Sequence, residues 1–143
     1  MTGYKTYQGN QVEGAGPLGL VLLTYDALYK SLGRARMAAT NGDFLFEGQQ
    51  TGRALEALVE LSTSLNMEDG GEVAANLSRL YYYMNERLVS EMCSGSVAAL
   101  DEVMDLTQTL RDAWKSLEDR QRMPVSRPKV TRSMQTVSAY YGY

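Results

Sequence analysis

Apolar residues recur every three or four positions over four stretches of this chain, the spacing of a single helical face. In the first stretch Leu18, Leu22, Tyr25, Leu28 and Leu32 form one stripe, with Tyr29 beside it, while Leu20, Leu23 and Ala27 form a second, offset stripe. A helix resting on one core needs one stripe. The second is therefore buried by further neighbours or kept for something that is not always there. In the second stretch Ala54, Leu58, Leu61 and Leu65 line one face, flanked by Leu55 and Val59. The third, the cleanest, carries Val73, Leu77, Leu80, Tyr81, Met84, Leu88 and Met92. The fourth carries Val97, Leu100, Val103 or Met104, Thr107, Leu110, Trp114 and Leu117. No segment alternates as a strand would, and no internal repeat appears.

Punctuation between the stretches sets the boundaries. Pro17 suits the first position of a helix with Gly16 as a permissive N-cap, and this helix is expected to run to about Ala39. Thr40-Asn41-Gly42-Asp43 reads as a turn with Asp43 as the next N-cap, opening a helix over about 44–65. Asn66-Met67-Glu68-Asp69-Gly70-Gly71 breaks the pattern before the third helix, which ends near Cys93. Ser94-Gly95-Ser96 turns the chain, with Ser96 as a cap for the fourth helix, and Pro124 and Pro128 stop any continuation. Four helices of about 20 residues joined by short turns favour an all-α, antiparallel up-down four-helix bundle. The expected organisation is an N-terminal arm over residues 1–16, a bundle over 17–120 and a tail over 121–143.

Composition narrows the class. The 143 residues suit one domain, and 44% hydrophobic with 22% charged residues is the balance of a globular protein. The apolar run at 18–23 is too short for a membrane span, no basic and apolar leader opens the chain, and the lone Cys93 fits a reducing compartment. A cytoplasmic protein without membrane insertion is expected. There is no histidine, which removes Ser-His-Asp and Cys-His catalysis, Glu-x-x-His metal sites and histidine-ligated zinc. No phosphate-cradling glycine loop is present, and no carboxylate cluster is convincing. Asp101, Glu102 and Asp105 sit where acids favour the positive end of the fourth helix. No catalytic residue, metal or cofactor is assigned.

Charge is unevenly placed. Residues 1–119 hold all 17 acids and nine bases, whereas residues 120–143 hold five bases and no acid: Arg120, Arg122, Arg127, Lys129 and Arg132. Such a segment is a solvated tail, a contact for an acidic partner, or a strand lying against its own body. The acidic body argues against nucleic acid as the partner.

Three features bear on binding. Tyr81, Tyr82 and Tyr83 are consecutive in the third helix, where successive side chains point about 100° apart, so at least one is expected at the surface. Tyrosine is a frequent interface anchor. Met84, Met92 and Met104 lie on apolar stripes and read as core fillers that can also repack against varied ligands. Gly48 and Gly52 each weaken a helix by about 1 kcal/mol relative to alanine and either admit another backbone or simply soften that half. Asp26 within the apolar first helix is either solvent-facing or anchored to a neighbouring donor.

These residues also carry a resemblance. The order Tyr7-Gln8-Gly9-Asn10-Gln11-Val12, then Pro17, then Leu20-Val21-Leu22-Leu23-Thr24-Tyr25-Asp26-Ala27 resembles the opening of the FliS family of flagellar export chaperones. Its pattern is a Tyr-Gln-x-Asn-x-Val arm, a Ser-Pro helix start and a Leu-Tyr-Asp-Gly core. Leu61, Leu65-Asn66, Gly70-Gly71-Glu72-Val73-Ala74, Asn76-Leu77, Leu80-Tyr81, Tyr83-Met84, Leu110-Arg111 and Ala113-Trp114 continue it in order over about residues 4–118. Gly16 stands where the family tends to have serine, Gly19 where a charge is common, Thr24 where leucine or methionine is common and Ala27 where glycine is usual. The first two loosen the helix start by about 1 kcal/mol each.

The resemblance implies a four-helix chaperone, not an enzyme. Its partner would be the disordered C-terminal segment of flagellin, held as helices along the chaperone surface and delivered to the export gate of the flagellar type III apparatus. The contacts expected on the arm and first three helices are Tyr7, Val12, Leu20, Leu23, Leu55, Leu58, Asn76, Leu77, Tyr81 and Met84, with Trp114 as a core anchor. The arm, through Tyr4, Tyr7 and Val12, is positioned to cover part of the groove when it is empty. The rival readings are a self-associating structural bundle, in which the spare stripes pack against further copies, and a helical enzyme with carboxylate-only metal ligands.

Overall fold

A computed structural model of the chain describes the backbone of residues 16–122 and the side chains of residues 19–120. Within them are four helices: α1 Gly16–Thr40, α2 Phe44–Thr63, α3 Met67–Ser90 and α4 Ala98–Arg122. Helix α1 packs against α2 and α4, and α3 closes the ring by packing against α2 and α4. Side-chain contacts fix the directions. Arg36 meets Asp101 and Asp26 meets Arg111, so α1 and α4 are antiparallel. Glu47 at the start of α2 binds the backbone of Cys93 just beyond α3, and Arg87 of α3 binds Glu102 of α4. Every neighbouring pair therefore runs antiparallel, as short turns require.

The helix ends follow the turn chemistry. The Asp43 carboxylate accepts from the Phe46 amide and opens α2, and Asn66 accepts from the Asp69 amide to open α3. The 66–71 segment departs from the sequence expectation. The chain is already helical at Met67, and the interruption falls on Gly71 alone, at φ 56° and ψ −133°. That backbone region is open to glycine and strained for other residues. The start of α4 is also capped differently. It begins at Ala98, whose amide binds Ser96 Oγ at 3.3 Å, but the Glu91 carboxylate reaches across from the end of α3 to accept from both the Ala99 amide and Ser96 Oγ.

The core sits where the stripes place it. Leu22, Tyr25, Leu28 and Leu32 of α1, Ala54, Leu58 and Leu61 of α2, Tyr81, Met84 and Leu88 of α3, and Leu100, Val103, Trp114 and Leu117 of α4 are buried together. Trp114 Nε1 donates to Tyr25 Oη at 3.1 Å, and Tyr25 Oη meets Tyr81 Oη at 2.5 Å. One polar chain thus links α1, α3 and α4 through the centre, and the buried hydroxyls and indole N–H find partners as they must. Asp26 is the anchored alternative, bound by Arg111 at half-buried positions.

Candidate binding surface

The second stripe of α1 stays partly at the surface. Leu20 is 37% exposed, and Leu23 and Ala27 are half-buried. The larger apolar surface lies elsewhere. Of the eleven large hydrophobic residues exposed among the described ones, nine are on α2 and α3: Phe44, Leu45, Phe46 and Val59, then Met67, Val73, Tyr82, Tyr83 and Val89. None is on α4. Isolated exposed hydrophobics need no explanation, but a one-sided concentration does.

Helical geometry places several of them on one seam. Gly48 faces the end of α3: a Cβ there would lie 3.1 Å from Cys93 Sγ. Gly52, Leu55 and Val59 follow it by four, seven and eleven residues, on the same flank of α2. On α3, Tyr83 and Arg87 turn toward α4, where both bind Glu102. Tyr82 and Val89, seven apart, therefore lie on the opposite flank, toward α2. Antiparallel steps of four and eleven residues from the Gly48–Cys93 approach pair Gly52 with Val89 and Val59 with Tyr82. Tyr82 is 67% exposed and Val59 54% exposed. A Cβ on Gly52 would meet no described neighbour within 4 Å, so the helices leave the seam open there, whereas Gly48 is a true close approach.

Electrostatics distinguishes this face as well. Glu56, Glu60, Glu68 and Glu72 form no ion pair with a described residue. Glu86 is bonded by the Tyr82 hydroxyl, which raises the pKa of that phenol. On the α3–α4 side, by contrast, Glu102 is held below its ordinary range by the Tyr83 hydroxyl first and by Arg87 second, and Glu91 by Ser96 first and Arg87 second.

The expected contact residues separate into three groups. Leu20, Leu23, Leu55 and Leu77 reach the surface in part, and Asn76 is exposed with its side-chain oxygen taken by Arg79. Leu58, Tyr81 and Met84 are 1%, 2% and 0% exposed, so in this structure they are core rather than surface. They lie on the stripe that the bundle itself consumes. Tyr7 and Val12 fall outside the described residues. Reading the stripes missed Val59, Tyr82 and Val89 as a group, although each follows a buried residue by one position and so points about 100° away from it.

A second unanticipated cluster lies inside. Glu47, Gln50 and Thr51 are buried on α2, and Glu47 Oε1, Gln50 Oε1 and Thr51 Oγ1 have no hydrogen-bond partner among the described residues. The signal was present, since Glu47 and Thr51 stand seven residues before Ala54 and Leu58 on the core stripe. Among the described residues no group of three His, Cys, Asp or Glu side chains is placed to hold a metal ion, and no helix is long and apolar enough to cross a membrane.

Comparison with known proteins decides the lineage. The sequence model of the family described as "Flagellar protein FliS" matches residues 1–121. The chain belongs to the FliS family. It is 32% identical over 131 residues to the flagellar secretion chaperone FliS of Salmonella typhimurium, covering 88% of this chain and 97% of that one. It is 35% identical over 107 residues to the flagellar secretion chaperone FliSB of Pseudomonas aeruginosa, covering 75% and 85%. With FliS of Bacillus subtilis it shares 31% identity over 119 residues, covering 83% and 88%. The FliS match runs from residue 1 to within one residue of the end of α4.

Proposed function

We propose that this FliS-family chain is a cytoplasmic flagellar secretion chaperone that binds the C-terminal segment of flagellin, prevents its premature assembly and presents it to the export gate. The observation that carries the reading is the one-sided apolar surface of α2 and α3, together with the spare stripe of α1. A disordered segment that folds as amphipathic helices on docking would cover such a surface, laying residues at i, i+3, i+4 and i+7 into a groove. Leu20, Leu23, Leu55, Asn76 and Leu77 would contribute directly, with Val59, Tyr82 and Val89 added. Leu58, Tyr81 and Met84 would support the groove from behind. Tyr7 and Val12 of the arm would line or cover it. No step requires a cofactor or a bond-making residue.

The test is calorimetric titration with a C-terminal flagellin peptide from the same organism. A peptide of about 40 residues suffices for two helices of the bundle's own length at 1.5 Å per residue. Saturable binding, weakened at least tenfold by Val59→Asp with Tyr82→Asp while the melting temperature holds, is the expected result. Absence of binding, with concentration-dependent light scattering from the free chain instead, would favour self-association through the same face.

A further inference from the structure

The apolar seam between α2 and α3 is bordered by acids that the body leaves unneutralised. Among the described residues these two helices carry six exposed or half-exposed acids, Glu56, Glu60, Glu68, Asp69, Glu72 and Glu86. Against them stand two exposed bases, Arg53 and Arg79, because Arg87 is bound by Glu91 and Glu102. On α1 and α4 every acid but Asp105 is ion-paired among the described residues: Asp26 and Asp112 by Arg111, Asp101 by Arg36, Glu102 by Arg87, Glu118 and Asp119 by Lys115. An acidic, apolar face calls for a basic, apolar occupant.

The chain supplies one. Residues 123–143 contain Arg127, Lys129 and Arg132, no acid, and interspersed valine, methionine and tyrosine. They follow α4, which ends at Arg122, at the end of the bundle where antiparallel packing also puts the close of α2 and the opening of α3. Twenty-one residues reach about 70 Å when extended, twice the roughly 30 Å length of α2. Tethering makes the contact intramolecular, with an effective concentration on the order of millimolar.

We propose that residues 123–143 lie back along the α2–α3 face of their own chain, with Arg127, Lys129 and Arg132 over the unneutralised acids and the intervening apolar residues against Val59, Tyr82 and Val89. This contact neutralises the face and shields its apolar surface. It is a property of the free chain and holds whether or not a flagellin segment uses the same face.

A nitroxide at position 133 tests this in the full chain, introduced as Ser133→Cys in a Cys93→Ser background. The amide signals of Val59, Tyr82 and Val89 should broaden selectively, while those of the outer faces of α1 and α4 stay sharp. The broadening should be lost at about 1 M salt, where the screening length falls to about 3 Å. It should also be lost in the Glu56→Lys, Glu60→Lys, Glu86→Lys chain, whose circular dichroism verifies the fold. Broadening spread evenly over the bundle, centred on another face, or insensitive to both salt and charge reversal overturns the proposal. So does broadening that appears undiminished when the spin label and the isotope label are on different molecules, because the contact is then with a second copy.

Discussion

The two seams on opposite sides of this bundle use the same helical geometry to opposite ends. Between α1 and α4 the surfaces are matched. Tyr25 takes the Trp114 N–H, Asp26 takes Arg111, Arg36 takes Asp101, and α4 exposes no large hydrophobic residue. Between α2 and α3 a hydrogen bond and a close approach lie at one end, around Glu47, Gly48 and Cys93, while Val59, Tyr82 and Val89 remain at the surface beside unneutralised acids. The first seam is spent on stability. The second retains apolar area that the four helices leave uncovered, which is what a binding surface requires and what a self-sufficient bundle avoids.

The largest expected effect sets the seams directly against each other. Trp114→Ala removes a buried indole, opens a cavity and takes one hydrogen bond from the buried Tyr25 hydroxyl. It should cost about 3–5 kcal/mol in urea unfolding. Tyr82→Ala removes a comparably large ring that is 67% exposed and should change stability by less than about 0.5 kcal/mol. A Tyr82 variant that lost as much as the Trp114 variant would mean that the α2–α3 seam is core after all.

The next effect comes from two glycines on one flank of α2. Gly52 faces open space, so Gly52→Ala should stabilise by up to about 1 kcal/mol through helix propensity alone. At Gly48 the added methyl would sit 3.1 Å from Cys93 Sγ, and the same gain should be cancelled. It should reappear when Cys93→Ala removes the sulfur. Equal stabilisation at both positions in the parent chain, read from thermal melts, would show that the seam is as open at its Cys93 end as at its middle.

How much of this was legible in the sequence follows from the same geometry. The turn at residues 40–43, with its Asp43 cap, was readable because capping chemistry is local, whereas the 66–71 segment read only as a break and its Asn66 cap emerges from the structure. The core stripes were readable because periodicity is local too. What the stripes could not separate was core from groove. Leu58, Tyr81 and Leu88 are buried while Val59, Tyr82 and Val89, one position on, are exposed. A one-residue step turns a side chain by about 100°, and only the placement of α3 against both α2 and α4 determines which direction is outward. Asp26 was undecidable for a related reason: its partner Arg111 is 85 residues away. Gly71 shows the limit of local signals, since a glycine pair marks a break without saying which of the two takes the left-handed conformation.

The smallest effect lies in how the two sides of α3 respond to acid. On the α4 side the Glu102 carboxyl is lowered from 4.5, by the Tyr83 hydroxyl and then Arg87, and Glu91 is lowered by Ser96 and then Arg87. A carboxyl whose pKa is lower in the folded chain than in the unfolded one stabilises the fold at pH values above the unfolded value. That contribution is lost as pH falls from about 4.5 through the lower folded value. Melting temperature should therefore decline on the acid side of pH 4.5, and Glu102→Gln should flatten part of that decline. Tyr83→Phe should act more weakly in the same sense, because it removes the leading cause of the Glu102 shift and leaves Arg87 in place. Both groups are near the surface, so the slope should shrink in high salt. An acid limb unchanged by either substitution would mean that the α3–α4 network is as loosely held as the α2–α3 seam, and the contrast between the two sides would rest on α1 and α4 alone.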